Sequence, residues 1–234
     1  MKRQLSLLML AARSSLWRVL GILAAMAAAQ TAVFAVQMDG ATLEALLDGR
    51  LFRLAAALGL AGTAAAVSLS SGGFGSRVDY RAALLPVSPG APARWHALYG
   101  LAAALLAWGV QLGVVLALCR LYAGRVGAGD FTGQLTVLAA YRSSLFHTLL
   151  PLADGVRWAA TACYYAGLGL SMGLGAVRAW SGRWAAGPLV LALAFWFQPG
   201  GLGAWGWQIL LGVSALGVAC KGLWYFVGEE EAGT

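Results

Sequence analysis

Six apolar runs, each close to the length that crosses a bilayer, dominate this chain, and one segment rich in charge and proline interrupts them. A transmembrane helix needs about 20 predominantly apolar residues at a rise of about 1.5 Å per residue. The runs extend over Trp17 to Met38, Leu51 to Ser71, Trp95 to Tyr122, Gly155 to Val177, Trp184 to Gln198 and Trp205 to Val227. Apolar residues make up 60% of the 234 positions and charged residues 11%. The expectation is therefore an all-α integral membrane protein, a single transmembrane domain over 1–234 with six transmembrane helices and no room for a soluble catalytic domain. The fifth run is the shortest and contains Pro188. It reads as a tilted or broken helix held at its ends by Trp184 and Trp196, because tryptophan favours the membrane interface.

Cytoplasmic loops carry an excess of Lys and Arg. With the N-terminus inside, Lys2, Arg3, Arg13, Arg18, Arg77, Arg81, Arg94, Arg178, Arg183 and Lys221 fall in the cytoplasm, and Arg50, Arg53, Arg120, Arg125, Arg142 and Arg157 fall outside. The balance favours a multi-pass protein of the cytoplasmic membrane with both termini inside. The net charge of +7 is then orientation signal and implies no nucleic-acid partner. Val33-Phe34-Ala35 would pass as a signal-peptide cleavage site, but Arg13 and Arg18 break the early part of the run, which reads as a span. Residues 1–16 read as an interfacial helix with Leu5, Leu8, Met9, Ala12 and Leu16 on one side, and Lys2 and Arg13 placed to meet anionic head groups. Cys119, Cys163 and Cys220 lie in or at the ends of spans without CxxC spacing, which marks them as apolar fillers rather than metal ligands or a disulfide framework.

The segment 72–94 carries Arg77, Arg81 and Arg94 and three of the six prolines. Gly72-Gly73 ends the second run, and Ser76-Arg77-Val78-Asp79 fits a capping box that starts a short cytoplasmic helix. Arg77 and Arg81 share one face of it, and Val78, Ala82 and Leu85 share another. Pro86 stops that helix, and Ser88-Pro89 reads as a second N-cap with proline at the first helical position. A basic amphipathic helix below the membrane either docks a partner or holds lipid phosphates.

The order of an interfacial helix, two spans, this basic helix running into Leu84-Leu85-Pro86-Val87-Ser88, and a third span resembles the permease subunits of bacterial type-2 ABC exporters over roughly residues 1–120. In that family the helix after the second span is the coupling helix that docks into the ATPase subunit. The resemblance implies ATPase contacts at Arg77, Val78, Arg81, Leu84 and Leu85, and a turn shaped by Pro86, Ser88 and Pro89. It also implies ABC ATPase subunits and a second permease copy, identical or related, as partners beside the lipid membrane. Pro89-Gly90-Ala91-Pro92 stands where the family often has basic residues, and the longest outer loop follows the third span rather than the fifth. The chain has no G-x-x-x-x-G-K-[ST] element, and its only lysines are Lys2 and Lys221. No cofactor is expected on this chain, and ATP and Mg would belong to the partner ATPase.

The outer loop, 123–154, gathers Leu135, Leu138, Leu145, Phe146 and Leu149 on one helical side and Thr136, Ser143 and His147 on the other. This predicts a helix lying at the outer interface, as a lid or as a substrate gate. Arg142 falls within the apolar side and must reach head groups or a carboxylate such as Asp130 or Asp154. At span depth Gln30 and Gln111 are the conspicuous polar residues, and with Arg142 and His147 they make the candidate pathway or outer gate. Gly109 with Gly113, and Gly169 with Gly173, have the spacing that permits close helix approach. No carboxylate lies within a span, which argues against a proton- or sodium-coupled carrier.

Two other classes bear on the chain. Gly169-Leu170-Ser171-Met172-Gly173 satisfies G-x-S-x-G, the pattern of a serine nucleophile, but the motif needs a strand-to-helix turn and a base, and Ser171 sits in a helical run. Ser171 therefore reads as a packing residue rather than the nucleophile of an intramembrane protease, and the chain as no enzyme. The other class is the membrane-embedded substrate-binding subunit of a vitamin-type importer, which would carry a polar pocket near its outer face. His147, Arg142 and Asp154 are the residues placed to line one.

Overall fold

A computed structural model describes residues 2–38, 40–69, 90–126, 138, 141–151, 154–180, 186–196 and 203–232. The regular elements are α1 (Lys2–Gln37), α2 (Leu43–Leu47), α3 (Arg50–Ser68), α4 (Gly90–Val126), α5 (Ser144–Leu149), α6 (Gly155–Trp180), α7 (Gly187–Ala194) and α8 (Gly203–Ala232), with no strand among the described residues. Four helical stretches are long and apolar enough to cross a membrane: Ser15–Gln37, Arg50–Ser68, Gly90–Arg125 and Gly206–Trp224. The protein is all-helical and membrane-embedded. Its exposed faces carry Leu54, Leu58, Leu105, Val190 and Val213, as surfaces in contact with acyl chains should.

Helix α6 is long enough to cross but is not among those four. The cause is its position. It lies between α4 and α8 and is buried along most of its length, where Gly167, Gly169, Gly173, Tyr164, Tyr165 and Ser171 replace the aliphatic side chains that lipid would demand. A Cβ on Gly173 would overlap the His96 carbonyl of α4, and one on Gly169 would come within 2.6 Å of Leu101 Cα. Against α8, a Cβ on Gly167 would lie 2.7 Å from Ala215 O, and one on Gly212 2.9 Å from Ala160 O. Backbones meet at these crossings because no side chain stands between them. The second predicted pair behaves otherwise, since Gly109 and Gly113 face open space.

Cross-helix contacts fix the helix directions. Gly59 meets Met26 and Gly62 meets Ile22, so α3 runs antiparallel to α1. Ser15 Oγ lies 2.9 Å from the Tyr99 hydroxyl, and Phe34 packs edge-on against Tyr122, so α4 runs parallel to α1. Gly173 against His96, and Trp158 against Trp108, make α6 antiparallel to α4. Ala160 beside Gly212 and Leu174 beside Gly222 make α8 parallel to α6. Helix α7 runs the other way, with Gly187 beside Val218 and Ala194 O accepting from Trp207 Nε1 at 3.1 Å. The order α1, α3, α4, α6, α7, α8 therefore alternates in direction, and the start of α1 and the end of α8 share one end of the bundle.

Three expectations are revised. The interfacial helix at 1–16 is not a separate element. It continues into the first run as one 36-residue helix, since no proline or glycine precedes Gly21 to break it. Helix α4 covers Gly90–Val126 where a span of Trp95 to Tyr122 was expected, with Pro92 in its first turn where no backbone donor is required. Helix α7 has only eight residues, and the helical ladder ends in a turn at Phe195–Trp196. Arg77, Val78, Arg81, Leu84, Leu85, Pro86, Ser88 and Pro89 lie outside the described residues.

Candidate functional site

One cluster of hydrogen-bonded polar side chains, built on Asp48, lies at the end of the bundle opposite the two helix termini. Asp48 closes α2, its backbone N–H donating to Glu44 O at 2.9 Å. Its carboxylate then accepts from the start of α5: Ser144 N at 3.0 Å on Oδ2, and Leu145 N at 3.1 Å and Ser143 Oγ at 3.0 Å on Oδ1. Ser143 is the N-cap of α5, and its hydroxyl also accepts from Phe146 N at 3.4 Å. The first three amides of α5 have no partner within their own helix, and these contacts satisfy all three.

Arg53, one turn into α3, closes the cluster. Its guanidinium donates to Asp48 Oδ1 at 2.9 Å and to Ser144 Oγ. Burial pushes the Asp48 carboxyl up, but the Arg53 hydrogen bond, the Ser144 and Leu145 amides and the Arg53 charge together outweigh it and hold the group below the ordinary aspartate value. Asp48 is therefore ionised at neutral pH. The far end of α5 is fastened by Trp108 of α4, whose Nε1 donates to Leu149 O at 3.1 Å. Tyr122 near the end of α4 donates to Ala41 O at 3.2 Å. Beneath these bonds Leu46, Leu47, Phe52, Leu145, Phe146 and Leu149 form an apolar plug with Phe34 and Leu118. The arrangement is a short helix clamped at both ends over the mouth of the bundle.

The predicted amphipathic outer helix is thus interrupted. Ser143 has extended backbone and starts a new helix, so Leu145, Phe146 and Leu149 turn into the bundle while Leu138 stays exposed. Arg142 is exposed and does not pair with Asp154, which instead binds Arg157 at 3.2 Å and caps α6 through Val156 N and Arg157 N. Asp130 lies outside the described residues. His147 packs edge-on against Tyr141, with ring centroids 4.6 Å apart. Partial burial, then the charge of Arg157, lower its pKa against an opposing pull from Asp154, so the ring is neutral at pH 7.

The intramembrane candidates separate. Gln30 is fully buried and donates from Nε2 to Phe52 O at 3.4 Å, which joins α1 to α3. Gln111 is 3% exposed, and neither of its amide atoms finds a partner among the described residues. Gln208 on α8 and Thr161 on α6 are in the same condition. No hydrogen bond or ring contact joins Gln30, Gln111, Arg142 and His147 to one another among the described residues. Ser171 donates to Leu168 O at 2.8 Å within its own helix, with no strand-to-helix turn around it. Cys119, Cys163 and Cys220 are free thiols.

Sequence reading missed Asp48, Arg53, Ser144, Trp108 and Gln208. Ser143-Ser144 ahead of Leu145-Phe146 is an N-cap signal that was open to view, and Asp48 and Arg53 are opposite charges flanking a helix start. The pairing of Asp48 with Ser144 spans 96 positions and has no local signature. No protein-family model, curated protein or solved structure matches this chain.

Proposed function

We propose that this chain is the permease subunit of a bacterial ATP-driven exporter of the type-2 ABC class, with six crossings and both termini in the cytoplasm. The observation that carries the reading is the alternation of six helices whose far end is closed by a clamped helix. An export pathway needs a seal on its outer side, and side-chain hydrogen bonds make a seal that can be remade. Helices α6 and α7 would supply the two further crossings, α6 shielded from lipid by its neighbours and α7 as a short, broken one. Broken helices are tolerated at membrane depth where protein surrounds them, and Tyr164 donating to Leu191 O at 2.9 Å and Trp207 to Ala194 O supply that shelter. Trp17 and Trp224, 80% and 81% exposed near the same end, suit a cytoplasmic interface. Gln111, Gln208 and Thr161, buried without partners, would line the route.

The chain would pair with a second permease copy and with two ATPase subunits that hold ATP and Mg. Co-expression with the ATPase encoded beside it, followed by purification, is the direct test: a stable complex with ATP hydrolysis is expected, and a chain that never captures the ATPase overturns the proposal. Within such a complex, replacing Arg77 and Arg81 together by Glu should abolish substrate-stimulated hydrolysis while expression continues. Truncating a paired charge at a desolvated contact costs about 2–5 kcal/mol, whereas a lipid anchor loses only about 1 kcal/mol per arginine.

The importer-subunit reading requires a ligand pocket near the outer face. A cavity is present there, but at about 10 Å³ it matches about one water-sized group. His147, Arg142 and Asp154 do not line it. The exporter reading rests on the closed far end of the bundle and not on this cavity.

A further inference from the structure

Buried polar atoms without a protein partner are not scattered through the bundle. Among the described residues they lie on Gln30 of α1, Arg53 of α3, Gln111 of α4, Thr161 of α6, Trp196 just past α7 and Gln208 of α8, with the ion-paired Arg157 beside them. Each of the six helices contributes, and cross-helix contacts put the contributions at one level. Gln30 reaches the carbonyl of Phe52, next to Arg53, and Arg53 and Trp196 line one small cavity. Trp108, one turn before Gln111, packs on Trp158, one turn before Thr161. Gly212, one turn after Gln208, abuts Ala160. Towards the glycine crossing, by contrast, the buried hydroxyls of Ser15, Thr63, Ser68 and Ser171 all have partners within the protein. The unsatisfied groups therefore form a layer on the inner side of α5, which Arg53 touches through Ser144.

Gln30, Gln111, Thr161 and Gln208 are at most 4% exposed, so bulk solvent does not serve them. A buried polar group left unmade costs more than a made bond gains, and a layer of them calls for a partner. The chemistry narrows what that partner is. The glutamine amides, Arg53 Nε and Trp196 Nε1 donate, the three glutamine carbonyls accept, and the Thr161 hydroxyl does both. Charge at this level is already balanced, because Arg53 has Asp48 at 2.9 Å and Arg157 has Asp154 at 3.2 Å. The partner is neutral, donates and accepts, and is small, since the cavity beside Arg53 and Trp196 has about 10 Å³, room for about one water. We propose that the closed bundle holds a layer of bound water at this level, bridging side chains of neighbouring helices beneath α5. Bonds through water can be exchanged one at a time. This cross-section can therefore rearrange when Asp48 releases α5, whereas the glycine crossing has no such freedom. Water held at this level does not depend on whether the chain exports anything.

The test is hydroxyl-radical labelling of the full chain in lipid nanodiscs, read by mass spectrometry, in which radicals made from a bound water oxidise the side chains it touches. Phe52 and Phe195, 0% and 4% exposed at the layer, should be oxidised. Met172, 0% exposed at the glycine crossing and the more readily oxidised side chain, should not. Replacing Gln111→Leu and Gln208→Leu together removes two amides from the layer. Oxidation of Phe52 and Phe195 should then fall by about threefold or more, because a buried water needs two or more polar partners to be held. Exposed Trp17 is the dose reference and should be labelled equally in both chains. A circular dichroism spectrum matching the native chain establishes that the double variant is folded. If it does not fold, Thr161→Val, which removes one hydroxyl, must show the fall in its place. The layer is overturned if Phe52 and Phe195 are as silent as Met172, if Met172 is oxidised as strongly as they are, or if labelling is unchanged in the folded variant. None of these results bears on capture of the ATPase, so the two readings fail separately.

Discussion

The two ends of the bundle are closed by opposite means. At the end shared by the helix termini, α4 and α6 meet backbone to backbone through Gly100, Gly169 and Gly173. At the other end, α2, α3 and α5 meet through the Asp48 carboxylate and its ring of donors. A backbone crossing has no rotamers to change, so it is either packed or lost. A carboxylate with several donors can release and regain them one at a time. If the molecule has a moving part, it is the clamped α5 rather than the glycine crossing, which would serve as its pivot.

The largest effect should come from the crossing. Gly173→Leu places a branched side chain against the His96 carbonyl and should cost about 3 kcal/mol or more, since neither backbone can yield without parting the helices. The readout is the denaturant or thermal midpoint of the chain in detergent. Gly109→Ala and Gly113→Ala, where nothing stands within 4 Å, should not lower it and should add up to about 1 kcal/mol each, as alanine is the better helix former. Equal damage at both pairs would erase the distinction between a packed and an open glycine pair.

Next in size is the clamp. Asp48→Ala leaves the Ser144 and Leu145 amides and the Arg53 guanidinium without their acceptor and should cost about 2 kcal/mol, concentrated at α5. Hydrogen exchange at those two amides should quicken while the α4–α6 crossing keeps its protection. Acid should do the same without mutation. The Asp48 pKa is lowered in the folded chain, so its contribution is fully present above the unfolded value of about 3.9 and is lost as pH falls through the lower folded value. Protection of Ser144 and Leu145 should therefore be level from neutral pH to about 5 and fall below about 4, whereas a decline beginning near pH 6 would point to a histidine instead.

The contrast also explains what could be read in the sequence. Length and apolarity of a run report contact with lipid, so α1, α3, α4 and α8 stood out at once. Helix α6 was read as a span from the same pattern, although protein rather than lipid covers most of it, and the eight-residue length of α7 was not legible because aromatic donors from α6 and α8 satisfy its carbonyls. The Gly169–Gly173 spacing was legible as a crossing, yet the same spacing at Gly109–Gly113 packs against nothing, so spacing alone does not say which face is covered. Gln30 proved to join two helices, a role its type and depth already indicated. The clamp was not legible, because Asp48 and Ser144 become neighbours only after α1, α3 and α4 have assembled.

A smaller effect is expected at the other end of α5. Trp108→Phe removes the bond to Leu149 O but keeps most of the ring, so about 1 kcal/mol should be lost and the exchange of α5 should rise less than in Asp48→Ala. A loss equal to that of Asp48→Ala would make the two fastenings one cooperative unit.

The smallest effect is predicted for Arg142, the residue that sequence reading placed nearest to a gate. Its side chain is exposed, and Asp154, the carboxylate that could have held it, is taken by Arg157. An exposed cation with no ion pair among the described residues contributes little to the fold, so Arg142→Gln should shift the unfolding midpoint by no more than about 0.5 kcal/mol. It should also leave hydrogen exchange at Ser144 and Leu145 unchanged, because their acceptor is Asp48. Arg157→Gln is the matched control, since it frees Asp154 and should cost more than Arg142→Gln does. If Arg142→Gln instead loosens α5 as Asp48→Ala does, the clamp extends beyond Ser143 into the preceding helical turn, and that end of the bundle is held by charge at a second point.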